Sequence, residues 1–228
     1  MINKWNFQTP SEEELHKRDQ LVAELGFSPV ICLLLVQRGI TSIEEAKKFF
    51  KPSLNDLHDP FLMPDMDKAV RRLNKALGNK EKILIYGDYD VDGTTAVSLV
   101  FKYLRPYSST LDFYIPDRYD EGYGISYKGI DYAAENGVSL VISLDCGIKA
   151  IEKIEYAKEK GIDFIICDHH MPDALAWHDV AVLGCQSARI LSYPYRALFG
   201  VAEWDSKFMQ AFAKSNNFPS RIWRSCWN

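Results

Sequence analysis

The chain has 228 residues, and its 27 lysines and arginines against 31 aspartates and glutamates give a formal net charge of −4. That balance argues against a broadly basic nucleic-acid surface, although local basic patches and bound cations are compatible with it. The five cysteines form no CxxC pair and no zinc spacing, which predicts reduced thiols in a cytoplasmic protein. The longest apolar stretch, from Val30 to Val36, is too short to span a bilayer, so we expect no membrane partner and no secretory leader.

Residues 1–80 are predicted to form a helical N-terminal region. A serine followed three residues later by a glutamate is typical of a helix start, and this pattern begins at Ser11 and again at Ser42. Ser28-Pro29 opens another helix, and a fourth is predicted from about Met66 to Leu77. Five basic side chains of this region either touch a nucleic-acid backbone or form solvated helix faces. They are Lys47, Lys48, Lys51, Arg71 and Arg72.

Residues 81–183 are predicted to form an α/β domain, a parallel sheet flanked by helices, because short apolar runs alternate with helical patterns. The run Lys82–Gly87 is followed by Asp88, Asp90 and Asp92 at alternating positions. An extended backbone would point the three carboxylates to one side, where they repel unless a divalent cation such as Mg²⁺ or Mn²⁺ binds them. The alternative is an Asp-rich turn with a helix N-cap and solvated neighbours.

Two later apolar runs, Leu140–Leu144 and Phe164–Cys167, also end in polar residues. These residues are Asp145 after the first run, and Asp168, His169 and His170 after the second. The carboxyl ends of parallel strands line one edge of a sheet, so all of these side chains are predicted to meet the first three aspartates there. A single histidine beside a strand is more often structural, but an adjacent pair that follows an aspartate favours a site.

A further apolar run leads into the loop 116–124 at the same edge. In one interpretation Arg118 contacts a phosphate, and Tyr119 or Tyr123 stacks on a base. In the other, an Arg–Asp network and packed tyrosines stabilise the loop. Thr94 lies near the start of the helix after the first strand, where small residues and the helix N-terminus favour an anionic phosphate.

Three segments carry a resemblance to a known family: GDYDVDG from Gly87, SLDCG from Ser143 and CDHH from Cys167. They match the successive motifs of the DHH phosphoesterase superfamily. The segment LHDPFLMPDMDKAVRRL before them is similar to the bacterial single-strand-specific exonucleases of that superfamily. The resemblance runs from near the N-terminus to Pro172, and it implies two divalent metals, Mn²⁺ or Mg²⁺, and phosphodiester hydrolysis.

The resemblance also implies which residues form the site. The implied metal ligands are Asp88, Asp90, Asp92, Asp145 and His169. The implied catalytic residues are His170, Asp168 and Asp145. The residues expected to bind the substrate are Arg118, Tyr123 and Thr94.

By the same resemblance, Asp90 and Asp92 each bind mainly a different ion, and Asp145 binds both ions as a bridging ligand. His170 faces the scissile phosphate as a hydrogen-bond donor or proton carrier, while Asp168 orients a neighbour or ligates. Oxygen ligands suit Mg²⁺ or Mn²⁺, and an imidazole ligand favours Mn²⁺. Two such ions clamp the attacking and leaving oxygens of an in-line displacement and lower the pKa of the water between them.

The function implied by the resemblance is 5′-to-3′ degradation of single-stranded DNA in recombination and repair. Single-stranded DNA is then the substrate, and a single-strand-binding protein or a helicase is the implied protein partner. The alternative enzyme is a DHH phosphodiesterase that acts on short oligonucleotides, cyclic dinucleotides or pyrophosphate. The alternative of a different class is a non-catalytic fragment that only binds metal or DNA.

Residues 184–228 depart from the family pattern, and we expect them to be an incomplete, frameshifted continuation of the domain. Codons for Gly184–Gln186 read one base later contain Asp-Ala, and shifted codons for Gly200–Ser206 contain Gly-Cys-Gly-Val-Gly-Phe, as the family would have. Members of the family also carry a further metal-binding aspartate and a second domain downstream. The chain as written is therefore expected to be a truncated N-terminal portion with at best weak activity.

Overall fold

The computed structural model describes residues 9–51, 58–170, 181–184 and 201–218. The chain divides into two compact units, Met1–His58 and Asp59–Asn228. Each unit has its own cluster of buried apolar side chains. Within the described ranges, no helix is both long enough and apolar enough to cross a membrane.

The first unit consists of three helices, α1 (Glu12–Leu25), α2 (Pro29–Gln37) and α3 (Ile43–Phe50). The two predicted capping boxes are confirmed. The hydroxyls of Ser11 and Ser42 accept the backbone N–H three residues on, and the glutamate at that position accepts the serine N–H in return. The start of α2 at Pro29 is also as predicted. The three helices bury a small apolar core made of Leu21, Cys32, Leu35, Val36 and Ala46.

In the second unit a 3₁₀ turn at Pro60–Leu62 precedes α4 (Met66–Gly78), after which strands and helices alternate. The strands are β1 (Lys82–Gly87), β2 (Leu111–Tyr114), β3 (Val138–Leu144), β4 (Asp163–Asp168) and β5 (Ala181–Gly184). The remaining helices are α5 (Val91–Leu104), α6 (Tyr127–Glu135), α7 (Ile151–Glu159) and α8 (Val201–Ser215). The predicted frameshift in residues 184–228 stays a prediction, since most of that segment lies outside the described residues.

All five strands run parallel, and the order across the sheet is β2-β1-β3-β4-β5. The predicted parallel sheet flanked by helices is thereby confirmed. The order reverses at β1, which pairs with β2 on one side and with β3 on the other. In open α/β sheets such a reversal opens a crevice at the carboxyl ends of the two central strands. The residues that follow these two strands are Asp88 and Asp145.

Helices cover both faces of the sheet, which explains why the strand residues are apolar without alternation. Leu84 and Tyr86 of β1 pack with residues of α6 and α7 in one buried cluster. Ile83 and Ile85 point to the opposite face, because successive side chains of a strand alternate, and both are fully buried. Helix α5 contacts β1, and helices α4 and α8 contact β5.

The division between the two units falls after His58, earlier than the boundary predicted after residue 80. The difference arises from α4, which packs against β5 and α8 and so belongs to the sheet unit. The sequence pattern shows that this helix has an apolar face, but the pattern does not show which element covers that face.

Arg72 of α4 is held inside the sheet unit. Its guanidinium donates hydrogen bonds to Asp163 at 2.6 Å, to Glu81 at 2.7 Å and to the backbone oxygen of Ser139 at 3.3 Å. Arg72 and Glu81 are both mostly buried. Arg71, the next residue along the helix, is instead exposed and pairs with Asp67. Arg72 is therefore a structural residue and not one of the solvated basic side chains.

Replacing Arg72 with alanine is expected to lower the free energy of unfolding by about 2 kcal/mol, because it leaves the Glu81 carboxylate desolvated without its partner. Urea unfolding followed by circular dichroism measures the change. Arg71→Ala is the matched control, and it should change stability by less than about 0.5 kcal/mol because its ion pair is exposed. Equal effects from the two variants would show that the buried ion pair contributes no more to the free energy of unfolding than the exposed one.

Candidate metal centre

The first acidic segment folds as a tight turn into a helix. β1 ends at Gly87, and α5 already begins at Val91. Asp90 is the N-cap of α5, with its Oδ1 accepting the backbone N–H of Gly93 at 2.9 Å. The expected extended backbone through all three aspartates is therefore wrong, because this capping bond starts the helix before Asp92. Asp90 and Asp92 are exposed, as the alternative of an Asp-rich turn with a helix N-cap predicts.

Asp88 does not fit that alternative, because it is fully buried. Its Oδ1 accepts the backbone N–H of Gly124 at 3.2 Å, while no described residue donates a hydrogen bond to its Oδ2. Burial raises the pKa of Asp88 above its ordinary range, against the lowering effect of the N–H of Gly124. The turn is tight enough that a Cβ on Gly93 would lie 2.5 Å from the carbonyl oxygen of Asp88. The first turn of α5 thus packs directly against the backbone of Asp88.

Asp145 is the second buried carboxylate, and it lies directly after β3 with only 2% of its surface exposed. Its backbone has a φ of 61°, in the left-handed region that non-glycine residues rarely adopt. Oδ1 lies 3.4 Å from Nε2 of His169, but it accepts no hydrogen bond from the described part of the chain. Burial, helped by the negative charge of Asp90, raises the pKa of Asp145 to about 7.

Asp168, at the end of β4, is buried, and both of its carboxylate oxygens have hydrogen-bond partners. Its Oδ2 accepts the backbone N–H of Ile148 at 2.9 Å. Its Oδ1 accepts the backbone N–H of His170 at 3.0 Å and lies 2.7 Å from Nδ1 of the same ring. Of the two roles expected for Asp168, orienting a neighbour fits this geometry better than ligating a metal.

Asp145, His169 and His170 come together as a group that could hold a metal ion. One donor atom from each lies within 4.8 Å of the donors of the other two. Among the described residues, the three aspartates after β1 do not join this group by the same distance. Asp90 and Asp92 nevertheless act on it electrostatically, since both raise the pKa of Asp145.

A divalent cation fits these residues chemically. Asp88 and Asp145 each have a buried carboxylate oxygen to which no described group donates a hydrogen bond, and such atoms are costly unless something pairs with them. Oxygen and imidazole donors are the set that Mn²⁺ accepts. The assignment of individual ligands to this site stays a prediction.

The loop after β2 is held by its own hydrogen bonds. Glu121 accepts the hydroxyls of Tyr114 and Ser126 and the backbone N–H of Asp117. Arg118 lies over the ring of Tyr89, with its Cζ 5.3 Å from the ring centre. The loop is therefore stabilised, as one of the two interpretations held, although its centre is a glutamate and not an Arg–Asp network.

The residues expected to bind the substrate have different surroundings. The Tyr123 hydroxyl lies 3.3 Å from Nε2 of His170, and its ring is half exposed. Tyr119 is 93% exposed. The hydroxyl of Thr94 donates to the backbone oxygen of Asp90 at 2.7 Å, so it serves the first turn of α5. A cleft of about 370 Å³ lies beside His170 and Tyr123, with Lys153 also on its wall.

Two backbone groups of the site have no signature in the sequence. The N–H of Gly124 holds Asp88, and the N–H of Ile148 holds Asp168. Gly124, with a φ of 78°, is a signal for an unusual turn, but it does not indicate that its N–H binds Asp88. Nothing in the side chain of Ile148 points to the hydrogen bond that its backbone makes.

Comparison with known protein families gives a match over the sheet and the acidic residues at its strand ends. The DHH family, N-terminal domain, matches residues 82–194, a range that contains every acidic strand end described above. This segment of the chain belongs to the DHH family.

Within that family the chain is similar to RecJ. It is 38% identical over 203 residues to the single-stranded-DNA-specific exonuclease RecJ of Bacillus subtilis, covering 87% of this chain and 25% of that protein. It is 30% identical over 190 residues to the Escherichia coli protein of the same name, covering 82% of this chain and 32% of that protein. The chain thus spans between a quarter and a third of the length of these relatives.

Solved structures of RecJ share the fold. RecJ from Thermus thermophilus in complex with Mn²⁺ aligns with a TM-score of 0.69 at 21% identity, over 90% of this chain and 28% of that one. An exonuclease RecJ bound to manganese aligns with a TM-score of 0.61 at 24% identity, over 69% of this chain and 39% of that one.

In metal-free protein at about pH 8, Asp145→Asn is expected to raise the free energy of unfolding. Folding raises the pKa of Asp145 from 3.8 to about 7, so the wild-type protein loses stability as the pH rises from about 4 to about 7. The amide cannot ionise, and asparagine tolerates the positive φ. The gain is at most about 4 kcal/mol and should vanish near pH 4. Urea unfolding in EDTA at both pH values measures it.

Asp117→Asn is the control for this experiment, and its effect should have the opposite sign. Backbone N–H groups of Asp120 and Tyr119 lower the pKa of Asp117, so its carboxylate stabilises the folded state above its ordinary pKa. The control variant should therefore be less stable than the wild type at about pH 8. If Asp145→Asn were also less stable there, the desolvated Asp145 carboxylate would not be what destabilises the folded wild-type protein.

Proposed function

We propose that this chain forms the metal-binding catalytic part of a single-stranded-DNA-specific exonuclease that hydrolyses phosphodiester bonds with Mn²⁺ or Mg²⁺. The observation that carries the proposal is the position of Asp145, buried and with an unpaired oxygen beside His169 and His170. The family match and the RecJ relatives support the chemistry. RecJ structures in complex with Mn²⁺ and with Mg²⁺ support the choice of cofactor.

The residues proposed to hold the metals are Asp88, Asp90, Asp92, Asp145 and His169. Bound divalent ions would stabilise the charge that develops on the scissile phosphate and lower the pKa of an attacking water. Metal-free, Asp88 and Asp145 have raised pKa values, so protons compete with cations for these oxygens. Metal affinity should therefore rise with pH.

His170 is proposed to act on the scissile phosphate, and Asp168 is proposed to position it. The carboxylate of Asp168 accepts from Nδ1 of His170, which places the ring proton on that nitrogen and leaves Nε2 directed toward Tyr123. In this orientation Nε2 can take a proton in the free site, or donate a hydrogen bond once the ring is protonated. The same carboxylate holds His170 at two points, because Asp168 also accepts the His170 backbone N–H.

Several finer points belong to this proposal. Arg118, Tyr123 and Thr94 are proposed as substrate contacts, with Tyr123 favoured by its place beside His170. The 5′-to-3′ direction, the role in recombination and repair, and a single-strand-binding protein or helicase as partner follow from the family resemblance. A location in the cytoplasm is proposed on the same ground.

Mn²⁺ is expected to raise the melting temperature of the chain, because a ligand that binds only the folded state stabilises it by about 2.7 kcal/mol at 100 times its Kd. EDTA should reverse the gain. Asp145→Asn should abolish most of it, while Asp117→Asn should keep it, since Asp117 binds backbone N–H groups of its own loop. A melting temperature indifferent to Mn²⁺ and to EDTA would count against a metal site in this chain.

Hydrolysis is tested on single strands labelled at either end, on the matching duplex and on a dinucleotide, each with Mn²⁺. We expect the single strand to be degraded from its 5′ end, and Asp145→Asn to slow this at least about 100-fold, since outer-shell partners of metals alone contribute 10- to 100-fold. Asp117→Asn should retain most of the rate.

The outcomes separate the alternatives. Turnover of the dinucleotide alone would favour a phosphodiesterase for short substrates. Mn²⁺ binding without any turnover would favour the non-catalytic fragment. Near-normal turnover by Asp145→Asn would refute the proposed site.

A further inference from the structure

A shallow groove with an apolar floor and a basic rim lies on the first unit, along α3. Its floor includes Leu25, Phe27 and Phe50, and its rim is formed by Lys47, Lys48 and Lys51. The volume of this α3 groove is about 440 Å³. All six residues belong to the first unit.

The two phenylalanines of the floor, Phe27 and Phe50, and the neighbouring Phe49 are partly exposed. Phe27 and Phe50 meet edge to face, with centroids 5.3 Å apart and planes at 88°. Phe49 and Phe50 meet in the same way at 5.2 Å and 85°. Each of the three rings is more than a third exposed. Edge-to-face packing leaves part of each ring face uncovered, so a planar group can stack there.

The lysines of the rim carry charge that the fold does not use. No carboxylate in the described part of the chain forms an ion pair with Lys47, Lys48 or Lys51. Glu45, on the same helix, accepts the backbone N–H groups of Thr41 and Ser42 at the other end of α3. Favourable interaction with the C-terminal end of α3 accounts for a lysine in the last turn. It does not account for exposed aromatic rings that line the same groove as the three lysines.

We propose that the α3 groove binds single-stranded DNA, with bases stacked on Phe27 and Phe50 and phosphates held by the three lysines. Sequence-independent binding of single strands combines a positive groove with aromatic platforms, and the α3 groove has both. A protein partner is disfavoured because the cores of protein interfaces are depleted in lysine. The proposal rests on single-stranded DNA being the substrate, and it adds a contact outside the metal centre.

The first test measures the salt dependence of binding by fluorescence anisotropy, using the full chain, labelled oligothymidylate and EDTA so that hydrolysis cannot occur. Each phosphate contact contributes about 0.7 to the slope of log K against log salt for single strands. The triple variant Lys47→Ala, Lys48→Ala, Lys51→Ala should therefore reduce that slope by about 2. The control triple, Lys17→Ala, Lys75→Ala, Lys80→Ala, removes the same charge and should leave the slope unchanged.

The second test separates stacking from charge. Phe50→Leu keeps an apolar side chain but removes the ring, and it should weaken binding about tenfold with the salt slope unchanged. Phe113→Leu, which alters an exposed ring of β2, should have no effect. Circular dichroism checks that each variant keeps its helices.

Three results would overturn the proposal. They are the absence of oligothymidylate binding by the unaltered chain, equal slopes for the two triple variants, and equally tight competition by polyglutamate, which would indicate an acidic protein partner. Failure of this proposal can be distinguished from failure of the proposed enzyme activity. Asp145→Asn should lose hydrolysis and keep the anisotropy signal, whereas the α3 groove variants should keep the Mn²⁺-dependent rise in melting temperature.

Discussion

Two carboxylates, those of Asp88 and Asp145, are buried at the carboxyl edge of the sheet, and each has an oxygen that accepts no hydrogen bond from the described residues. Such groups are unfavourable in the ionised state, which is why burial raises both pKa values. A fold retains desolvated charges of this kind where a cation or a proton compensates them. The metal-dependent chemistry proposed for this chain depends on these two carboxylate oxygens, because a bound cation would pair with them.

The surrounding structure is arranged to keep these oxygens in place. The close approach of Gly93 to the backbone of Asp88 packs the start of α5 onto the turn. Backbone N–H groups of Gly124 and Ile148 hold Asp88 and Asp168 from neighbouring loops. Because three separate strand ends and two loops contribute, the site exists only when the whole parallel sheet is assembled. Its rigidity comes from backbone donors, which cannot swing away as side chains do.

Asp168 and His170 form the second element of the site. The Asp168 carboxylate accepts the backbone N–H of His170 and the N–H of its ring nitrogen Nδ1, so it orients the ring. His169, next to it, is free of that constraint and lies toward Asp145 instead. Both histidines lie near Asp145, and of the two only His170 lines the cleft.

The sequence by itself determined the parallel sheet, the capping of α1 and α3, and the gathering of acidic strand ends at one edge, because these follow from local periodicity and from the geometry of parallel strands. It also contained the family resemblance of the three motifs. Only the tertiary structure decided that Asp90 caps a helix, so that Asp92 leaves the extended line of the strand. It alone placed α4 in the sheet unit and buried Arg72 between Glu81 and Asp163. The place of α4 and the partners of Arg72 depend on contacts between residues far apart in the chain, which no local pattern specifies. The Asp90 cap is a local bond to Gly93, and the sequence offered it as one of two alternatives without deciding between them.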